Sequence, residues 1–215
     1  MVVKANRAKG LEGGKVRLVA FRSVVTHILP ALMARFRQQF PLIEVEIMDV
    51  DEHSKIEALL RSSQADIGIV DLPCSDEFAT WEIFRDEYVV LLLPRLKTNS
   101  TELTWQQLAT YPLIISAKNS CSLAIRECLK QSPEPINIAY QMQEDSSIVG
   151  MAMGGLGAAI MPQLAAEPIP EQLAVYSLPV PLERVIRAAI LQDALHTPAV
   201  YAFLEVLKTY NTSNA

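Results

Sequence analysis

The residues best placed to do chemistry are hydroxyls, a cation and a thiol set where strands give way to helices. Arg22, Ser23 and Thr26 follow the apolar run Val16 to Phe21. Ser116, Ser120 and Cys121 follow Leu113 to Ile115, and Gln143 to Asp145 follow Ile136 to Tyr140. The first turn of a helix leaves backbone N–H groups without intrahelical partners at the positive end of the dipole, which suits carboxylate or phosphate capture. Pro30 must lie near the start of the helix after Ser23, because deeper inside it would remove a hydrogen bond. The backbone around Ser23 to Thr26 then presents free N–H groups, with Arg22 as the nearest cation. Capping of its own helix is the competing role for Ser23 or Thr26.

The elements that position these groups alternate in kind. Val16 to Phe21 is short, apolar and rich in β-branched residues, hence a strand buried on both faces. Ile28, Leu32, Phe36 and Phe40 recur every four residues opposite Arg35, Arg37, Gln38 and Gln39, which predicts an amphipathic helix ended by Pro41. Ile43 to Met48 alternates as a strand, Ile56, Leu59 and Leu60 mark a helix, and Ile67 to Val70 is a third strand. Strands alternating with helices imply parallel pairing in an α/β sheet, whose ligands bind beyond the strand carboxyl ends.

A second lobe follows. Trp81 to Phe84 and Val89 to Leu93 read as two apolar stretches joined by the polar Arg85-Asp86-Glu87. Pro94 to Thr101 is a surface loop, and Thr104 caps a short helix. Helices are expected over Cys121 to Gln131 and from about Asp145 through Met153, with strands at Ala158 to Met161, Leu173 to Leu178 and Val185 to Leu191. Gly154-Gly155-Leu156-Gly157 follows a helix and precedes a strand, the reverse of a dinucleotide fingerprint, so it is a cap and tight turn. Pro198 sits in the first turn of a closing helix whose buried stripe is Val200, Phe203, Leu204 and Leu207.

Composition excludes several classes. The 215 residues are 50% hydrophobic and 20% charged, enough to bury a substantial core and too apolar for disorder. The net charge is −5; Lys4, Arg7, Lys9 and Lys15 against Glu12 make the first fifteen residues basic, leaving −8 for the rest. So acidic a body is a poor binder of a phosphate backbone. No segment reads as an export signal or membrane span, so a cytoplasmic location without membrane contact is expected. Cys74, Cys121 and Cys128 form no CxxC pair, and His27, His53 and His196 show no Cys/His ligand spacing, so neither a metal nor a cofactor is expected. There is no GxSxG elbow, and Lys118 is the lysine nearest the candidate site, so no enzyme is expected.

Order and spacing now carry a resemblance. Ser23, Leu29-Pro30, Phe36-Arg37 with Phe40-Pro41, and Ala65-Asp66-Ile67-Gly68-Ile69 come first. Phe84-Arg85-Asp86-Glu87-Tyr88-Val89-Val90, Leu103 to Leu108, Tyr111-Pro112-Leu113-Ile114, Gly154 to Pro162, and Thr197-Pro198-Ala199 with Phe203-Leu204 follow. Together they resemble the effector-binding domain of LysR-type transcriptional regulators across residues 15–210. The resemblance implies an α/β fold of two Rossmann-like lobes joined by a two-strand hinge, a type 2 periplasmic-binding-protein-like clamp. It implies subdomain I over 15–87 plus 187–215, subdomain II over 88–186, and a linker remnant at 1–14. Hinge residues would be Tyr88, Val89, Val185 and Ile186.

The same resemblance places an effector-contacting hydroxyl at Ser23 and a second contact at Glu52, where a glutamate beside Asp51 favours a ligand bearing an amine or merely complements the helix dipole. Arg22, Ser116, Ser120, Cys121 and Gln143 would complete an interlobe cleft. The implied function is sensing of a small metabolite, passed to a winged helix-turn-helix preceding Gly14, in a homodimer or homotetramer that touches DNA through that preceding domain alone. Two other readings are a thiol redox sensor using Cys121 and a solute-binding protein for uptake. Cys121 and Cys128 would lie about 10 Å apart along one helix, too far for a disulfide without unravelling it.

Overall fold

A computed structural model describes residues 13–50, 52–93, 101–117 and 119–210. The expected linker up to residue 12, most of the loop expected at 94–101, Asp51 and Lys118 lie outside the described residues. The chain forms two compact units: the first runs to Arg85 and resumes at Val185, and the second is Asp86–Arg184.

In the first unit, β1 (Gly14–Ala20) pairs in parallel with β2 (Ile43–Asp49) and β3 (Ile67–Val70). The strand β9 (Glu183–Leu191) adds antiparallel to β3. The whole of β3 is buried, as an apolar run sandwiched between helices must be. The strand β2 instead mixes Glu44 and Glu46 with Ile47, which is 38% exposed. Charges on an exposed strand discourage further pairing, and Lys15 on β1 pairs with both glutamates. Arg17 fastens β1 to the start of β3, donating from Nη2 (2.6 Å), Nε (3.1 Å) and its backbone N–H (2.8 Å) to Asp66.

The helices of this unit are α1 (Arg22–His27), α2 (Leu29–Gln39) and α3 (His53–Arg61), closed by α8 (Pro198–Lys208). The expected stripes are the buried ones: Leu32 and Phe36 on α2, and Val200, Phe203, Leu204 and Leu207 on α8. Phe36 and Phe203 meet edge to face at 4.8 Å between centroids. One expectation fails. Helical structure starts at Arg22, well before Pro30, and the chain avoids the proline's missing donor by ending α1 at His27 and restarting at Leu29. Pro30 does open a helix, but it opens the second of two.

The second unit contains β4 (Phe78–Leu92), whose later half belongs to it, and β5 (Leu113–Ser116), β6 (Ile138–Met142), β7 (Ala158–Pro162) and β8 (Ala174–Ser177). Strands β7 and β8 pair antiparallel with β4, and β5 pairs in parallel with β6 and β7. Helices α4 (Trp105–Ala109), α5 (Ser120–Leu129), α6 (Asp145–Met153) and the short α7 (Gln163–Ala166) complete it. Tyr88, Val90 and Leu92 join one core cluster while Val89 and Leu91 join another, the period-2 alternation of a strand covered on both faces. Thr104 caps α4 in a full capping box with Gln107, as its position predicted. Gly157 has no room for a side chain, since a Cβ there would stand 2.0 Å from the Pro112 carbonyl oxygen.

The two apolar stretches expected on either side of Arg85-Asp86-Glu87 are one continuous strand. Asp86, in the middle of that polar joint, is 2% exposed.

Candidate functional site

Polar side chains gather where parallel strands end, separately in each unit. In the first, β1 ends at Ala20, and Arg22 and Ser23 occupy the first turn of α1. Neighbouring β2 ends beside it, with the Val50 N–H donating to the Ala20 carbonyl (3.0 Å), and Glu52 follows as the N-terminal flank of α3. Arg22, Ser23 and Glu52 thus share one edge of the sheet. Ser23 is 5% exposed and its hydroxyl is not the cap of α1, whose flanking residue is Phe21. The free N–H groups expected around Ser23 to Thr26 are partly used up: Val24 and Val25 both donate to the Phe21 carbonyl, at 3.1 and 3.2 Å. Glu52 is exposed, makes no capping bond and accepts from Lys55 Nζ at 3.1 Å.

In the second unit, Ser116 ends β5, and Ser120 and Cys121 open α5. Neighbouring β6 ends at Met142, whose carbonyl accepts from the Ala117 N–H at 2.7 Å, and exposed Gln143 follows it. The organiser is Asn119. Its Oδ1 accepts from the Ser122 N–H and from the Ser116 hydroxyl, both at 2.9 Å, and Ser122 Oγ accepts from the Asn119 N–H at 3.1 Å. Ser116 has committed its proton to that cap, so it offers a ligand its lone pairs alone.

Behind Cys121 lies a group the sequence did not single out. Arg184 is 7% exposed and donates through Nε (2.8 Å) and Nη2 (2.7 Å) to Asp86 Oδ2, while Asp86 Oδ1 accepts from the Leu164 N–H at 2.9 Å. Three donors converge on the carboxylate, which matches its ionised, acceptor-only form. Arg184 Nη1 also reaches Cys121 Sγ at 3.6 Å. Burial works against the guanidinium charge, but Cys121, Asp86 and Tyr88 outweigh it and hold Arg184 above its ordinary value. Asp86 and Arg184 lie 98 residues apart in the chain, so no spacing pattern links them. Cys121 itself is 9% exposed, and Cys128 lies at the far end of the same helix.

Two α/β units, joined by β4 and β9, with polar groups collected at strand carboxyl ends, define a type 2 periplasmic-binding-protein-like fold. The same fold is found in the Synechocystis PCC6803 CcmR regulatory domain in complex with 2-PG (TM-score 0.81, 18% identity, 94% of this chain and 99% of that one). It recurs in the QuiR effector-binding domain in complex with shikimate (TM-score 0.79, 20% identity, 94% and 99%). The family model for the LysR substrate binding domain matches residues 9–211, and the chain belongs to that family. It is 48% identical over 208 residues to the probable HTH-type transcriptional regulator LrrA of Synechococcus elongatus, spanning 97% of this chain and 70% of that protein. It is 26% identical over 207 residues to the uncharacterized HTH-type transcriptional regulator YoaU of Bacillus subtilis, again spanning 70% of the relative. The chain is therefore the effector-binding domain of a LysR-type regulator.

Proposed function

We propose that this domain binds a small metabolite and controls a DNA-binding winged helix-turn-helix carried elsewhere in the full-length regulator, without catalysing a reaction. The observation that carries the reading is the pairing of family membership with a buried serine, Ser23, in the first turn of a helix at a strand carboxyl end. Contacts proposed for the effector are Arg22, Ser23 and Glu52 from the first unit, and Ser116, Ser120, Cys121 and Gln143 from the second. Structural neighbours bearing 2-PG and shikimate support a small ligand.

Effector binding shifts the population toward the binding-competent arrangement by its differential affinity. Tyr88 and Val89 on β4, and Val185 and Ile186 on β9, are the proposed hinge, between subdomains spanning 15–87 plus 187–215 and 88–186. A homodimer or homotetramer in the cytoplasm would transmit the change to DNA. No helix among the described residues is long and apolar enough to cross a membrane. The test is a thermal-shift screen of organic acids, amino acids and sugar phosphates, followed by calorimetry. A hit raises the midpoint by mass action, and a hit whose affinity is untouched by both Ser23→Ala and Gln143→Ala would remove those contacts.

A further inference from the structure

Outside the proposed effector contacts, His53, Glu57 and Cys74 place one ligand atom each within 4.8 Å of one another. His53 and Glu57 stand one turn apart on α3, and Cys74 lies in the segment after β3, so all three belong to the first unit. We propose that these residues form a three-ligand site for a borderline-soft divalent cation of the zinc or cobalt type, one that clips α3 to the segment following β3.

The donor set is one nitrogen, one oxygen and one sulfur, the mixture such cations accept, and it leaves a fourth position for water. Two ligands of a tetrahedral ion at about 2.1 Å stand about 3.4 Å apart, and His53 Nε2 lies 3.4 Å from Glu57 Oε1. With the three atoms within 4.8 Å of one another, closing the set requires the Cys74 sulfur to approach by at most about an ångström, from a half-buried position.

The His53 nitrogen that faces Glu57 is Nε2, the one a cation beside that carboxylate would take. Nδ1 diverges from it across the ring and is buried without a hydrogen-bond partner, so it does not bear on the site.

The carboxylate is also held ready. Glu57 Oε2 accepts from Arg61 Nη2 at 2.7 Å, and Arg61 is itself fixed by Glu77 (Nε to Oε1, 2.7 Å) and by Ser75 Oγ (3.1 Å). That orients Oε1 toward His53, the supporting role outer groups play around metal ligands. Burial and the Glu57 carboxylate push the Cys74 thiol up. A bound cation reverses the balance, and the thiol proton leaves to solvent as the metal–sulfur bond forms. Sequence spacing hid the set because Cys74 follows His53 by twenty-one positions and the helical pair is His–Glu rather than His–His.

The proposal does not depend on the effector reading, and its test has a separate readout. Co²⁺ titrated into this chain should give, at one equivalent, a thiolate-to-cobalt charge-transfer band with tetrahedral visible bands, both displaced by Zn²⁺. Cys74→Ser should abolish the charge-transfer band, and His53→Gln or Glu57→Gln should weaken Co²⁺ at least tenfold. Cys128→Ser should change nothing, with circular dichroism confirming the fold of each variant. A wild-type chain that shows no charge-transfer band at saturating Co²⁺ overturns the proposal. So does a band that survives Cys74→Ser.

Discussion

Asp86 and Arg184, the first and last residues of the second unit, close it with a buried ion pair: Nη2 to Oδ2 is 2.7 Å, with the side chains 2% and 7% exposed. Removing one partner leaves the other in the core without its counter-charge, which costs about 3–5 kcal/mol. Asp86→Leu or Arg184→Met should therefore destabilise the domain by that amount in urea unfolding. The double variant should recover much of the loss, because an apolar pair of similar volume removes both charges together. Additive losses in the double variant would show that the two side chains act independently.

The Arg17–Asp66 bond makes a prediction about acid. Burial disfavours the Asp66 carboxylate, but the hydrogen bonds from the Arg17 side chain and backbone N–H outweigh it and hold the group below its usual range. The folded value lies under the unfolded one, so the contribution is present above the unfolded value, about 3.9. It is lost as pH falls through the folded value. Stability measured downward from pH 5 should decline less steeply in Asp66→Asn than in wild type.

At Ser23 the choice of substitution matters. A bulky residue would block the site, but at 5% exposure a large side chain would also disturb the core and confound the result. Ser23→Ala removes the hydroxyl alone. It should weaken a screened effector about tenfold, or about 1.4 kcal/mol, in calorimetry, with circular dichroism confirming that the variant keeps its fold.

Gly157→Ala should be severe. The added Cβ would meet the Pro112 carbonyl at 2.0 Å, and that oxygen already accepts from the Ala158 N–H at 3.0 Å, so neither backbone segment can yield freely. A sharp loss of soluble yield, or a clearly lowered melting midpoint, is expected. Gly150→Ala is the control: nothing lies within 4 Å of an added Cβ there, and alanine suits a helix interior better.

Cys128 is buried, and burial pushes its thiol up. It should resist a thiol reagent in the folded state while half-buried Cys74 reacts first. Peroxide treatment should leave Cys121 and Cys128 unlinked by non-reducing mass spectrometry.

The sequence by itself determined what depends on local periodicity and on motif order. The strand Ile67 to Val70 fell where its apolar run placed it. The Thr104 cap and the α8 stripe did so too, because capping and amphipathic spacing are written within a few residues. Motif order also sufficed to identify the family and its fold. Tertiary structure alone decided how the remote residues pair. Asp86 read only as part of a polar joint, because its neighbours Arg85 and Glu87 are polar and its partner lies 98 positions away. The split at Ile28 was likewise hidden, since a proline tells where a helix can begin but not whether another has just ended. Cys74 came to His53 and Glu57, themselves one helical turn apart, through the packing of α3 beside the end of β3, a proximity created by folding that no spacing along the chain shows.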